Sequence, residues 1–233
     1  MPGGTLTRLE RFLSLLFASR EERRHARVGK PHLWRMKRAF QIDFLRRMGL
    51  EPGQHLFDLG CGTLRGGIPL IEFLDPGHYT GVDVREEVLA EARAELAEAG
   101  LAHKEPTLVH ARDLGALDLG ARFDLVWAFS VLFHLDDPAL ERALVCVERH
   151  LASDGSFLFN ALVEDGGRRD LPRWQGFPVV ARSLDAYRAG LARHGLVLRD
   201  LGSLASLGHV SGDPEQDGQR MLSARRAAQA VGA

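Results

Sequence analysis

Three acidic residues recur along this chain, each at or just beyond the end of a short apolar run: Asp58 in LFDLGCG, Asp83 in YTGVDV and Asp113 in LVHARDL. A fourth run, FDLVWAFSVLFHL, is followed not by an acid but by Ser130 and His134. After the first acid comes a turn dense in glycine, Gly60-Cys61-Gly62-Thr63-Leu64-Arg65-Gly66-Gly67. These residue types suit the binding of a polar, flexible ligand. Carboxylates accept hydrogen bonds from hydroxyls and balance cations, and glycine lets the backbone approach a ligand closely. A histidine, with an unperturbed pKa of ~6.5, can take a proton near neutrality.

The elements that must position these residues alternate. His55–Asp58, Tyr79–Val84, Thr107–His110, Phe123–Phe129, Ser156–Val163 and Leu196–Leu201 read as strands. Met221–Ala224 reads as a last short one. Between them, Arg65–Leu74, Glu86–Ala99, Pro138–Leu151 and Leu184–His194 read as helices, closed by Pro76–Gly77, Gly100 and Gly195 or opened by Asp136–Asp137 before Pro138. Upstream, His32–Met48 is helical. Residues 5–24 form an amphipathic helix with Leu6, Leu9, Leu13, Leu16 and Phe17 on one face. Strands alternating with helices imply a Rossmann-like, doubly wound, mostly parallel α/β sheet with helices on both faces and an N-terminal helical extension. Ligands of such sheets bind at the carboxyl ends of the strands, which brings the acids, Ser130 and His134 to one rim.

The turn is a near miss for the dinucleotide fingerprint GxGxxG, because Arg65 stands where the third glycine belongs. Asp58 argues against a dinucleotide. A carboxylate at the strand end would face a pyrophosphate seated on the helix N-terminus, and two anions so placed repel by several kcal/mol in a partly dehydrated cleft. A cationic nucleoside reverses the sign. S-adenosylmethionine (SAM) carries a sulfonium and an ammonium, and its ribose hydroxyls suit an acceptor such as Asp83.

The ordered motifs DLGCGT, GVDV and FDLVWAFSVLFHL resemble those of class I SAM-dependent methyltransferases, over roughly residues 50–165 and more weakly to about 225. The resemblance implies that Asp58, Gly60 and Gly62 contact the methionine end of SAM. It implies that Asp83 binds both ribose hydroxyls and that Val84 packs on the adenine. Asp113 would face the adenine amino group with Leu114 beside it, and Ser130 would sit near methionine and acceptor. The chain departs from the common Gly-x-Gly-x-Gly turn, since Thr63-Leu64 follow Gly62 and the next glycines are Gly66 and Gly67.

Methyl transfer from a sulfonium mainly needs alignment and exclusion of water; a base is required only where the nucleophile must lose a proton, as a hydroxyl does. His134 is the candidate base, with a role in lining the acceptor pocket as the alternative. The long stretch 164–180, EDGGRRDLPRWQGFPVV, is expected as a functional loop or lid. Its Arg168, Arg173 and Trp174, with Trp34 of the second helix, are candidates for holding an anionic or aromatic acceptor. Asp136, Asp137 and Asn160 are oxygen donors of the kind Mg²⁺ takes, but the two aspartates are accounted for by the helix start, and no metal is expected.

The formal net charge of −1 excludes a global basic field, so neither nucleic acid nor membrane is an expected partner. Two cysteines in apolar surroundings, and no long apolar run, point to a cytoplasmic protein. The expected organisation is a helical cap over 1–48, a SAM-binding methyltransferase domain over 49–225 and a tail over 226–233, with a possible homodimer through the N-terminal helix. The expected activity is O-methylation of a small molecule in an enclosed pocket. An NAD(P)-dependent oxidoreductase and a non-catalytic SAM-fold scaffold are the alternatives.

Overall fold

A computed structural model of the chain describes residues 26, 27 and 29–227. The helix expected at 5–24, and any dimer formed through it, lie outside the described residues. The first long helix, α1 (Trp34–Arg47), follows a short 3-10 turn at Pro31–Leu33. The chain then runs β1 (Leu56–Leu59), α2 (Gly67–Phe73), β2 (Tyr79–Asp83), α3 (Glu86–Glu98), β3 (Thr107–His110), β4 (Phe123–Ala128), α4 (Asp137–His150) and β5 (Leu151–Ala161). It continues with β6 (Arg169–Trp174), β7 (Phe177–Ala181), α5 (Leu184–Arg193), β8 (Leu196–Ser203), α6 (Pro214–Asp217) and β9 (Arg220–Arg226).

Seven strands form one sheet in the order β3-β2-β1-β4-β5-β9-β8. Every pairing up to β5 is parallel, and β9 runs antiparallel to both of its neighbours. This is the mostly parallel, doubly wound sheet the sequence leads one to expect. Its core strands are apolar on both faces because both faces are covered. Successive residues of β4 alternate between two cores: Val126 and Ala128 pack with α4 and α5, while Leu125 and Trp127 pack with α1, α2 and α3. Phe44 of α1 stacks on Trp127 with ring centroids 5.9 Å apart, which fixes α1 against the sheet.

Local chemistry sets the helix starts. Asp136 accepts the Ala139 N–H ahead of α4, and Ser183 accepts the Ala186 N–H ahead of α5. Two segments differ from expectation. β5 begins at Leu151, not Ser156, since Leu151 pairs with Phe123 and the ladder resumes, after an irregularity, at Ser156 opposite Leu125. The stretch expected as a loop over 164–180 is largely an antiparallel hairpin, β6–β7, turning at Gln175 (φ +47°) and Gly176 (φ +85°). Two successive positive-φ residues make the tight turn whose twist matches the paired strands.

Candidate functional site

The parallel register aligns Asp58 with Gly81 and Trp127, and Asp83 with His110, so the carboxyl ends of β1, β2 and β4 open at one edge. There they enclose a cleft of about 930 Å³, counting its open mouth. Asp58, Gly60, Gly62, Asp83, Val84, Leu114, Ser130, His134 and Trp174 all line it. The sequence signals missed Gln41, Arg65, Arg85, Phe129, Val131 and Phe177, which line it as well.

Asp58 is buried at the floor, and its Oδ2 accepts the Tyr79 hydroxyl at 2.6 Å. Gly67 makes room for that contact, because a Cβ there would stand 2.6 Å from the Tyr79 oxygen. Burial pushes the Asp58 carboxyl up to about 7; the Tyr79 bond and Arg65 oppose the rise and Asp83 adds to it. Compensation of the charge is therefore incomplete, and a cationic group in the cleft would complete it. This is the fit SAM requires at its methionine and sulfonium end.

Asp83 is held differently. Its Oδ2 accepts the Gly62 N–H at 3.1 Å and its Oδ1 accepts the Arg85 N–H at 3.0 Å. It does not cap α3, whose N-cap residue is Arg85. The carboxylate thereby ties the glycine turn to the end of β2. Gly60 (φ +80°) allows a second close approach, since a Cβ there would lie 2.5 Å from Val131 Cγ2. Ser130 adopts φ +63°, and its N–H donates to Asn160 Oδ1 at 2.6 Å. A non-glycine residue held in the left-handed region at a strand end marks a site whose surroundings over-determine it.

His134 closes a 3-10 turn, Leu132–His134. Its Nδ1 lies 3.2 Å from the Pro178 carbonyl, so Nδ1 carries the proton and Nε2 keeps its lone pair. Burial lowers its pKa, with Arg85 helping and the Pro178 bond opposing. The Trp174 ring sits 5.1 Å away and Phe177 6.4 Å away, giving this end of the cleft an aromatic wall.

Four candidates stand apart from the cleft wall. Asp113, well exposed, accepts the Gly115 N–H and lies 3.6 Å from Arg142; only its neighbour Leu114 reaches the cleft. Trp34 is buried under the guanidinium groups of Arg38 and Arg65, at 5.5 and 6.0 Å from its ring. Arg168 bonds Asp137 and Asp170, and Arg173 bonds the Gly176 carbonyl within the hairpin. Alternation along β6 explains the split, since Trp174 and Arg173 face opposite sides of a two-stranded ribbon. The oxygen donors are also engaged: Asp136 caps α4, Asp137 pairs with Arg182, and Asn160 bonds Ser130 and Gln219. Among the described residues no group of three or more His, Cys, Asp or Glu is arranged to hold a metal ion.

Comparison with known proteins agrees with this geometry. Residues 57–157 match the family model described as a methyltransferase domain. The chain is 31% identical over 125 residues to a (+)-O-methylkolavelool synthase of Herpetosiphon aurantiacus (52% of this chain, 41% of the relative). It is 33% identical over 102 residues to a ubiquinone biosynthesis O-methyltransferase of Aromatoleum aromaticum (42% and 41%). The matched stretch thus spans about two-fifths of each of these curated relatives. Among solved structures, a glycopeptide N-methyltransferase complexed with sinefungin superposes with a TM-score of 0.65 at 18% identity, over 82% of this chain and 94% of that one. The magnesium protoporphyrin IX methyltransferase of Synechocystis PCC 6803 with bound SAH gives 0.61 at 18%, over 97% and 90%. At such identities the likeness is one of fold. The fold is the Rossmann-like one of these solved methyltransferases, and the central stretch 57–157 carries the match to a methyltransferase domain. An NAD(P)-dependent oxidoreductase is not favoured.

Proposed function

We propose that the protein transfers a methyl group from SAM to a hydroxyl of a small-molecule acceptor bound between Ser130 and the β6–β7 hairpin. The observation that carries the reading is the convergence of Asp58, Asp83 and the bare Gly60–Gly62 backbone in one cleft with His134 and Trp174. When bound, SAM supplies an electrophilic methyl on a sulfonium. Asp58 holds the cationic methionine portion, Asp83 accepts from the ribose hydroxyls, and Val84 and Leu114 flank the adenine. Asp113 serves from outside the wall, through the turn that positions Leu114. Trp174 and Phe177 exclude water and orient the acceptor, and His134 Nε2 takes the hydroxyl proton as the new O–C bond forms.

Two curated relatives bear O-methyl names, while a structural neighbour is an N-methyltransferase, so support for oxygen over nitrogen rests on the His134 tautomer. Two buried free thiols suit a reducing, cytoplasmic setting. Among the described residues no helix is long and apolar enough to cross a membrane.

Calorimetric titration with SAM, its demethylated product SAH and NAD tests the donor. Binding of the first two and not the third is expected; binding of NAD alone would sink the reading. Methyl-labelled turnover against a metabolite extract then tests catalysis. Donor affinity without turnover of any acceptor would favour a non-catalytic scaffold.

A further inference from the structure

The cleft floor holds two carboxylates on neighbouring strands, and they are not equivalent. Asp83 receives two backbone N–H bonds. Among the described residues Asp58 receives a hydrogen bond from Tyr79 Oη alone, and it is 5% exposed, at the floor of the cleft. The charged or titratable groups that act on it are Tyr79 and Asp83 of β2 and Arg65 of the glycine turn. Cys61 of the same turn is a buried thiol pushed well upward, so it is neutral. On the β4 side the register partner is Trp127, which does not titrate. Two guanidiniums, Arg65 beside Asp58 and Arg85 with its Nε 3.6 Å from Asp83 Oδ1, and one phenol thus face two carboxylates.

We propose that Asp58 is a proton-coupled sensor of ligand charge: it releases its proton when the sulfonium-bearing donor enters and takes one back once the neutral thioether product is left. This rests on the SAM reading of the cleft and adds to it a basis for preferring fresh donor over spent product. The donor carries one positive charge more than its product, and the difference sits on sulfur. An approaching cation favours the charged form of a nearby acid. With the carboxyl poised at about 7, that preference is expressed near neutral pH. The balance is simple. A proton leaves Asp58 for solvent on donor binding, and one returns from solvent after the C–S bond has broken and the positive charge has gone. Linkage then requires donor affinity to fall roughly tenfold per pH unit below about 7 and to level off above it, while product affinity changes less.

The test is calorimetry of the full chain with SAM and with SAH, at pH 7, in phosphate and in Tris, whose protonation enthalpies differ. For SAM the two buffers should differ by the heat of about half a proton released, a difference that disappears near pH 9. SAH should show clearly less. Lys37 also titrates near neutrality, so the variant Asp58→Asn decides the source. In it the buffer difference should vanish and the preference for SAM over SAH should shrink, with SAH still bound. Tyr79→Phe, which removes the bond favouring the charged form, should move maximal proton release to higher pH. Equal SAM enthalpies in both buffers for the wild type overturn the proposal. So does proton release that persists in Asp58→Asn, or an unmoved pH of maximal release in Tyr79→Phe. Failure of the wild type to bind either ligand would instead overturn the SAM reading itself.

Discussion

Arg85 Nη1 donates to Gln175 Oε1 at 3.4 Å, joining the end of the β2 rim to the tip of the β6–β7 hairpin on the other side of the cleft. Gln175 Nε2 donates in turn to the Ala26 carbonyl at 2.9 Å, and Arg85 lies 5.3 Å from the Phe177 ring. Two side chains therefore latch the hairpin to the β2 rim. Each exposed hydrogen bond of this kind contributes about 0.5–1.5 kcal/mol. Gln175→Ala is expected to speed SAH dissociation by ~3–10-fold with little change in association. Stopped-flow displacement reads both rates, and an unchanged dissociation rate would show that the hairpin does not gate release.

His134 presents a free Nε2 and has a pKa held below its usual value by burial. A base works in its neutral form, so turnover should stay level from neutral pH down past 6.5 and decline only at lower pH. His134→Gln should reduce the maximal rate on a hydroxyl acceptor by ~10²–10⁴-fold while SAM affinity is kept. A pH–rate profile of the wild type beside single-turnover rates of the variant checks this. Equal rates would reduce His134 to a wall of the pocket.

Asp83 spends one oxygen on the glycine turn and the other on Arg85 N–H, yet a carboxylate oxygen can accept more than one bond. Asp83→Ala is expected to weaken SAM by ~1.5–3 kcal/mol, the range for hydrogen bonds to charged groups. Titration of SAM against its 2′-deoxy and 3′-deoxy analogues, each lacking one ribose hydroxyl, would localise the loss. Affinity unchanged in the variant would remove the ribose assignment.

Lys37 is buried on α1, and among the described residues its ammonium makes no hydrogen bond or ion pair. Burial, then Arg65 and Lys30, lowers its pKa to about 7. The unfolded chain, with an ordinary lysine value of 10.5, binds more protons between these limits. Stability should therefore rise as pH climbs from about 7 toward 10.5, with the full penalty present below 7. Lys37→Met should stabilise the protein by ~1–4 kcal/mol at neutral pH and flatten that rise. Urea melts at several pH values measure both effects, and a destabilised variant would mean that Lys37 has a partner in the folded protein.

The alternation of β1–α2–β2–α3 was readable because each strand is bounded by glycine, proline or an acid and each helix has a clear stop. The acids at the ends of β1 and β2 were readable for the same reason: a charge at the end of a buried run is conspicuous. Gln41 and Arg85 carried no such signal. A glutamine in a helix and an arginine at a helix start are ordinary solvated residues until the fold turns them inward. The hairpin was hidden because Gly166, Gly167 and Pro172 break the pattern that marks strands, although Leu171 and Val179 do pair across it. Asp113 lies outside the cleft wall, with Leu114 beside it in the lining. The motif position was sound, but a two-residue turn to Gly115 directs its carboxylate to Arg142 and gives the cleft Leu114 instead.

What the sequence alone determined was the alternation of strands and helices from β1 to β5, and with it the rim on which Asp58, Asp83, Ser130 and His134 would meet. Burial on both faces writes itself into continuous apolar runs, and a right-handed crossover leaves one choice of edge. What only the tertiary structure decided was the state of each side chain at that rim. Whether a carboxyl holds its proton, which nitrogen of a histidine is free, and which face of a hairpin looks inward depend on neighbours far apart in the chain. Tyr79 beside Asp58, and Pro178 beside His134, are such neighbours, and no local pattern encodes them.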